Sequence, residues 1–376
     1  PRIAWADMCD PLRRSVRAAV VAEGWAPHTD AVDGMAQAGE IRLEPANEHG
    51  AVVPMATAIG PTAPVYVVSV DAGGTTAYSS LNQGSGAAAW FGVDSDAAIE
   101  RLRFLRDALG PALARALDGA GPVDVFSLAA QGINMGDDVH MRVQATTNLL
   151  LRDLLPRLVR SSSARIGEVA DFLSTNHLMF LNIAMAGARA LTEWAGQVPG
   201  SSIVTSMARN GTTYGVRLAG CSERWHIAPS PPVQDALYYP GQGPDTSAPD
   251  IGDSAVLELV GLGGAAAANS PAVAGFLGGR MADAAAVTAA MRRICAGTST
   301  RLRLPVLDNA GTPLGVDVRR VVENSITPAV NTGIVHISDG SGQVGAGVAH
   351  APIECFRQAL FDLDQRLSPQ RPRPIR

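Results

Sequence analysis

The chain has 376 residues, 47% of them apolar and 17% charged, with a formal net charge of -5. That balance belongs to a globular protein with a sizeable core in two or three domains and excludes a disordered chain. The charges are interspersed, so no basic tract marks a nucleic-acid or membrane surface, and no run of about 20 apolar residues offers a spanning helix.

Residues Pro1 to Asp10 lack the charged-then-apolar pattern of a signal peptide, and the abrupt start leads us to expect an upstream segment. Cys9, Cys221, Cys295 and Cys355 are far apart and form no CxxC, which reads as reduced thiols in a cytoplasmic protein. The sequence contains no lysine, so its thirty basic side chains are all arginines. That excludes a P-loop lysine, a Schiff-base lysine and a pyridoxal-phosphate site. A bound anion must then be held by arginine forks, backbone N–H groups or helix N-termini.

In chain order, Pro11 to Glu23 has helical apolar spacing with proline in its first turn. Val65 to Val70 reads as a strand that forms a hairpin across Asp71-Ala-Gly-Gly-Thr-Thr. Ser95 to Leu117 reads as one long helix, with a candidate break at Gly110-Pro111, and Val123 to Leu128 as a strand leading into a helix. Consecutive helices run from Asp138 to about Ala195, broken at Ser161-Ser-Ser. Ser201 to Met207 is expected to pair with Val216 to Leu218, before a long Pro/Gly-rich loop from Ala228 to Asp250. Closely packed helices follow over Ala255 to Gly275, then a helix over Ala282 to Ala296. Strands are expected at Leu302–Leu307, Val316–Val318 and Ile334–Ile337, and a last helix at Ile353–Leu367. The order implies an α+β fold: two mixed α+β lobes, 1–150 and 201–367, a small helical domain at 151–200, and a flexible tail at 368–376.

Seven segments together resemble the AllG (YlbE-like) family across almost the whole chain. They are Asn47-Glu-His-Gly-Ala-Val-Val-Pro-Met, Asn134-Met-Gly-Asp-Asp-Val-His-Met-Arg, Asn176-His-Leu-Met-Phe-Leu-Asn-Ile-Ala-Met-Ala, Met207-Ala-Arg-Asn-Gly-Thr, Asp250-Ile-Gly-Asp-Ser-Ala, Pro328-Ala-Val-Asn-Thr-Gly-Ile-Val-His and Gly342-Gln-Val-Gly-Ala-Gly. The resemblance implies a subunit of an oxamate carbamoyltransferase complex with an FdrA-like subunit and a third, smaller one. Such a complex interconverts oxalurate plus phosphate with oxamate plus carbamoyl phosphate in purine and allantoin breakdown.

Carbamoyl transfer needs oxyanion donors, a proton carrier, and cations for phosphate and carboxylate. Arg209, Asn210, Gly211 and Thr212 combine guanidinium, amide and hydroxyl after a strand, though a hairpin turn with a surface arginine would look the same. Asn331, Thr332, Gly333 and His336 have similar polar character, with ordinary turn chemistry as the competing reading. Glu48 beside His49 could orient the ring, or be a solvated surface pair. Asp137, Asp138, His140 and Arg142 sit at an expected helix start, where carboxylates complement the dipole; His140 is the candidate there for acid/base work. Asn176 and His177 open an expected helix carrying Asn182, with Asn176 as an alternative N-cap. Asp253 and Glu258 precede Gly261-Leu-Gly-Gly, where a carboxylate could meet a nest of backbone N–H groups or merely cap a helix.

Ser299-Thr-Arg-Leu-Arg, Asp71-Ala-Gly-Gly-Thr-Thr and Gly340-Ser-Gly-Gln-Val-Gly mimic phosphate or dinucleotide motifs but lack their companion elements. The reading favoured by these residues is a carbamoyltransferase subunit binding a small anion through Arg209, Asn210, Thr212, Asn331, Thr332 and His336, with His49 or His140 carrying the proton. A non-catalytic docking subunit and a stand-alone amidohydrolase of ureides or cyclic amides are the alternatives. No cofactor is expected, and the sequence leaves metal dependence and oligomeric state open.

Overall fold

The computed structural model describes residues 2–71, 74–118, 121–160 and 164–368. Some helices start where the chain supplies a proline or a side-chain cap. Helix α1 (Asp10–Ala22) carries Pro11 in its first turn and buries Val16, Val20 and Val21 on one face. It is followed by α2 (Asp30–Gln37). Strands β1 (Val65–Val70) and β2 (Thr75–Ser80) form the expected antiparallel hairpin; positions 72 and 73 of its connection lie outside the described residues.

The long helix is realised as α3 (Asp96–Phe104), a π-helical turn over Leu105–Leu109, and α4 (Gly110–Asp118). Pro111 has no N–H to donate, and the wider turn before it absorbs that loss without breaking the rod. The expected strand at Val123–Leu128 is instead the start of α5 (Val125–Asn134). Asp124 caps it, its Oδ1 accepting the Ser127 N–H at 3.0 Å. A short apolar run is ambiguous between strand and helix, and here the cap decides.

Three helices follow, α6 (Gln144–Arg160), α7 (Ile166–Thr175) and α8 (Met179–Ala195). The break expected at Ser161-Ser-Ser, like the tail from residue 369 on, lies outside the described residues. Helix α8 is apolar almost all round, burying Met179, Phe180, Ile183, Met185 and Ala188, as a helix enclosed by its neighbours must be. It packs against the β1–β2 hairpin, α5 and α6.

Strands β3 (Val204–Asn210), β4 (Thr213–Leu218), β5 (His226–Pro229), β6 (Asp235–Tyr238) and β7 (Ile251–Gly252) come next. The expected long loop from Ala228 to Asp250 therefore carries a strand of its own. Alanine- and glycine-rich chain then forms 3-10 helices at Ser254–Val260 and Gly263–Asn269, followed by α9 (Pro271–Phe276) and α10 (Met281–Ile294). Strand β8 (Cys295–Leu304) pairs with β9 (Ala310–Val316), and Asp317 caps α11 (Val318–Asn324) where strand was expected to continue. Strands β10 (Ala329–Val335) and β11 (Gln343–His350) lead to α12 (Ile353–Leu367).

The named strands pair antiparallel, in sheets ordered β5-β4-β3-β7, β10-β11-β6, β8-β9 and β1-β2. Helices and small antiparallel sheets alternate in blocks, which is an α+β fold. The main apolar core runs from Val52 to Leu363 and draws on residues of all three spans 1–150, 151–200 and 201–367. No helix among the described residues is long and apolar enough to cross a membrane.

One backbone crossing positions the cavity described next. Gly252 has φ +110°, and a Cβ there would lie 3.0 Å from Met55 Cα and closer still to its nitrogen. Met55 itself is held at φ 50°. Each feature is costly for an ordinary residue. Gly252→Ala should therefore lose about 2 kcal/mol or more in urea unfolding, and a variant as stable as the parent would contradict the crossing.

Candidate functional site

A cavity of about 740 Å³ opens between the 3-10 turn Ala46–His49, the end of β3 and β7. Asn47, His49, Met55, Tyr78, Arg209, Asn210 and Asp253 line it, with Arg2, Arg42 and Glu44 also on its wall. His49 is 61% exposed, and its Nε2 is engaged by Glu44, not by Glu48. Glu48 turns to Arg217 and accepts the Trp225 Nε1–H at 3.0 Å, while the Arg217 guanidinium lies 4.2 Å over the Trp225 ring. A 3-10 turn has three residues per turn, so neighbours such as Glu48 and His49 diverge by about a third of a circle. The expected Glu48–His49 pair is thus not formed.

Asp253 sits in the wall of the cavity, 8% exposed. Val53 N–H donates to its Oδ2 at 3.1 Å, and its own N–H donates to the Val53 carbonyl at 2.8 Å. Burial pushes its carboxyl above the ordinary range, against the Val53 N–H, the Arg209 charge and the Asn47 amide, which favour the ionised form.

Arg209, at the end of β3, faces inward. Its Nε and Nη2 donate to Asp250 at 2.8 and 3.0 Å, and its side chain is fully buried. Thr332 Oγ1 donates to the same carboxylate at 3.1 Å. Desolvation alone would lower the Arg209 pKa, but the charge and hydrogen bonds of Asp250 raise it above its ordinary value. Asp250 thus takes Nε and Nη2 of the fork expected to clamp a ligand, while the buried Nη1 has no hydrogen-bond partner among the described residues. Asn210 is likewise engaged: its Oδ1 accepts the Thr212 and Thr213 N–H groups at 3.0 and 2.7 Å, which makes the segment a capped hairpin turn. Gly211 takes φ +78° there, and Thr212 Oγ1 donates to the Asp7 carbonyl at 3.3 Å.

Asn331, Thr332 and Gly333 lie within β10, not in a turn. Successive strand residues face opposite sides, so while Thr332 meets Asp250, Asn331 points to a second buried cluster. Its Nδ2 donates to Asp138 at 2.6 Å. His140 Nδ1 pairs there with Glu258 at 2.6 Å. Glu258 Oε1 also accepts the Gly264 and Asn331 N–H groups, each at 3.3 Å, one from the glycine-rich turn and one from β10. Asp138 caps the turn ahead of α6, accepting the Met141 and Arg142 N–H groups at 3.1 and 2.8 Å. Val139 is fully buried at φ 61°, a strained conformation for a β-branched residue beside His140. This cluster does not line the cavity.

The remaining candidates lie elsewhere. Asn176 caps the end of α7 instead of the start of α8, and its Nδ2 donates to the Asn82 carbonyl at 3.3 Å. Asn182 accepts from Asn82 Nδ2 at 2.8 Å, so Asn176 and Asn182 share a buried amide cluster, from which exposed His177 is excluded. His336 Nδ1 accepts the Ser338 and Asp339 N–H groups at 3.2 and 3.1 Å, closing the β10–β11 turn. Gly333 packs beneath Met55, 3.2 Å from its Cε for an added Cβ. The cavity therefore gathers His49, Arg209 and Asn210, while His140 and Asn331 form a separate enclosed centre. Asp250 opens one of the family-like segments, but its role as the partner of Arg209 is not legible in the sequence, since the two are 41 positions apart. Glu258 did leave a trace, as a lone carboxylate in an apolar run.

An α+β protein with an open cavity lined in part by arginine and histidine, beside enclosed polar centres, is the class these features define. Residues 41–254 match the family described as oxamate carbamoyltransferase subunit AllG. An oxamate carbamoyltransferase subunit AllG of Escherichia coli (strain K12) is 39% identical over 371 residues, covering 98% of this chain and 88% of that protein. An uncharacterized protein, YahG, of the same strain is 33% identical over 368 residues, covering 97% and 78%. A crystal structure of a conserved protein of unknown function from Enterococcus faecalis V583 matches with a TM-score of 0.95 at 32% identity, covering 98% of this chain and 88% of that one. The chain belongs to the AllG family.

Two outcomes follow from this geometry. Arg209→Ala strands the buried Asp250 charge and should cost about 3–5 kcal/mol in unfolding free energy; a loss below about 1 kcal/mol would mean that water reaches the pair. Asp253 has a raised pKa in the folded state, so its stabilising protonation is complete below the unfolded carboxylate pKa and is lost as pH rises through the folded one. Asp253→Asn should then match the parent in thermal melts near about pH 3 and melt higher at neutral pH.

Proposed function

We propose that this chain is a subunit of a carbamoyltransferase interconverting oxalurate plus phosphate with oxamate plus carbamoyl phosphate, in purine and allantoin breakdown. It would act with an FdrA-like subunit and a third, smaller subunit. The observation that carries this reading is the 39% identity with the Escherichia coli subunit across 98% of the chain. We assign the reaction to the cavity, which His49 and arginines line. In the forward direction a phosphate oxygen attacks the ureido carbonyl carbon, the bond from that carbon to the oxamyl nitrogen breaks, and the departing nitrogen takes a proton to become oxamate. His49, open on the cavity wall and steadied by Glu44, delivers that proton; His140, 4% exposed and paired with Glu258, is enclosed. Arg2, and Arg42 once it leaves its ion pair with Glu44, supply the cations for phosphate and carboxylate that lysine cannot. Arg209 acts indirectly, holding the β3 wall through Asp250 and Thr332.

A docking role is the second reading, favoured by the engagement of Arg209 and Asn210 within the protein. The two separate on reconstitution with the partner subunits. His49→Gln should lower phosphate-dependent carbamoyl transfer by about 10²–10⁴-fold without loss of stability, because the ring is largely exposed. Unchanged turnover would favour the docking role, and phosphate-independent hydrolysis by the chain alone would favour an amidohydrolase.

A further inference from the structure

Asp253 is an expensive residue for the wall of a largely apolar cavity. Unlike Asp250, which Arg209 holds at 2.8 Å, it forms no ion pair within reach among the described residues and receives a backbone N–H from Val53 at 3.1 Å. A carboxylate so placed loses hydration with only the more distant charges of Arg209 and Arg189 to offset it, whereas an amide or an apolar side chain would cost less. Its position is also over-determined. The two hydrogen bonds exchanged with Val53, the φ +110° of Gly252 and the φ 50° of Met55 together fix where the carboxylate stands. The Asn47 amide lies beside it on the same wall. Strain and incompletely compensated burial concentrated at one cavity residue mark a group kept for its ligand.

We infer that Asp253 reads the nitrogen end of the ligand, accepting an N–H of a carboxamide or ureido group. This rests on the reading that the cavity binds the carbamoyl-transfer substrate, and it adds the feature that sets specificity. At a pH above its raised pKa Asp253 is ionised and acceptor-only, so it welcomes an –NH2 group and repels the –O⁻ that replaces it in a dicarboxylate of the same shape. Oxamate and oxalate differ in that one substitution. The cavity therefore selects mono-anionic carboxamides over dicarboxylates, and Asp253 is a specificity-determining residue.

Isothermal titration of the chain with oxamate and with oxalate tests this, on the parent and on Asp253→Asn. The parent should bind oxamate about 100-fold or more tighter than oxalate. The variant should narrow that ratio to within about tenfold by gaining oxalate, since its amide can donate where the carboxylate could only accept. A parent ratio near one, or a variant ratio equal to the parent's, overturns the assignment. The parent ratio stands as a test even if the variant fails to fold. Should the parent bind neither ligand while the reconstituted complex catalyses phosphate-dependent transfer, Asp253 is excluded and the carbamoyltransferase reading survives. Absence of both binding and transfer removes the two together.

Discussion

The buried pair of Arg209 and Asp250 is the constraint on which the arrangement of the second half of the chain depends. Arg209 is the penultimate residue of β3, Asp250 precedes β7, and Thr332 of β10 joins the same carboxylate, so two sheets and the intervening loop meet at one charge pair. Ion pairs in a low-dielectric interior are poor sources of net stability but severe if broken, because the survivor is left uncompensated. Such a pair enforces register: a slip of β3 by one residue would turn Arg209 outward and bury Asp250 alone.

From that junction the two faces of β10 divide the polar chemistry. Thr332 faces Asp250 and, behind it, the wall of the cavity; Asn331 faces Asp138 and the His140–Glu258 pair. One strand thus supports both an open site and an enclosed centre. The enclosed centre is bound by backbone N–H groups from Gly264 and Asn331, and a Cβ on Gly263 would lie 3.0 Å from the His140 Nδ1. Glycine there permits the approach of the turn to the imidazole, which no side chain would.

Elements with a local cause were legible in the sequence. The hairpin β1–β2, the final helix Ile353–Leu367 and the pairing of β3 with β4 follow from apolar period, turn residues and caps. Val123–Leu128 was misread because six apolar-rich residues fit either period, and the Asp124 cap carried the deciding signal. Val316–Val318 went the same way, with Asp317 ending the strand and starting α11. The site was less legible. Glu48 and His49 are adjacent in sequence yet serve different partners, Arg217 and Glu44, because a 3-10 turn separates their directions.

The sequence by itself determined the α+β class, the family, and the restriction of cationic chemistry to arginine, since each of these depends on composition or on patterns within a few tens of residues. Tertiary structure alone decided which polar groups meet. His140 and Glu258 are 118 positions apart, and Asn331 and Asp138 are 193 apart. No local spacing encodes such pairings. They arise when packing around α8 and the antiparallel sheets buries each group, so that each must find a partner or leave its desolvation uncompensated. The same physics turned Arg209, which by sequence suits a ligand clamp, into the bolt of the fold, and left Asp253 facing the cavity.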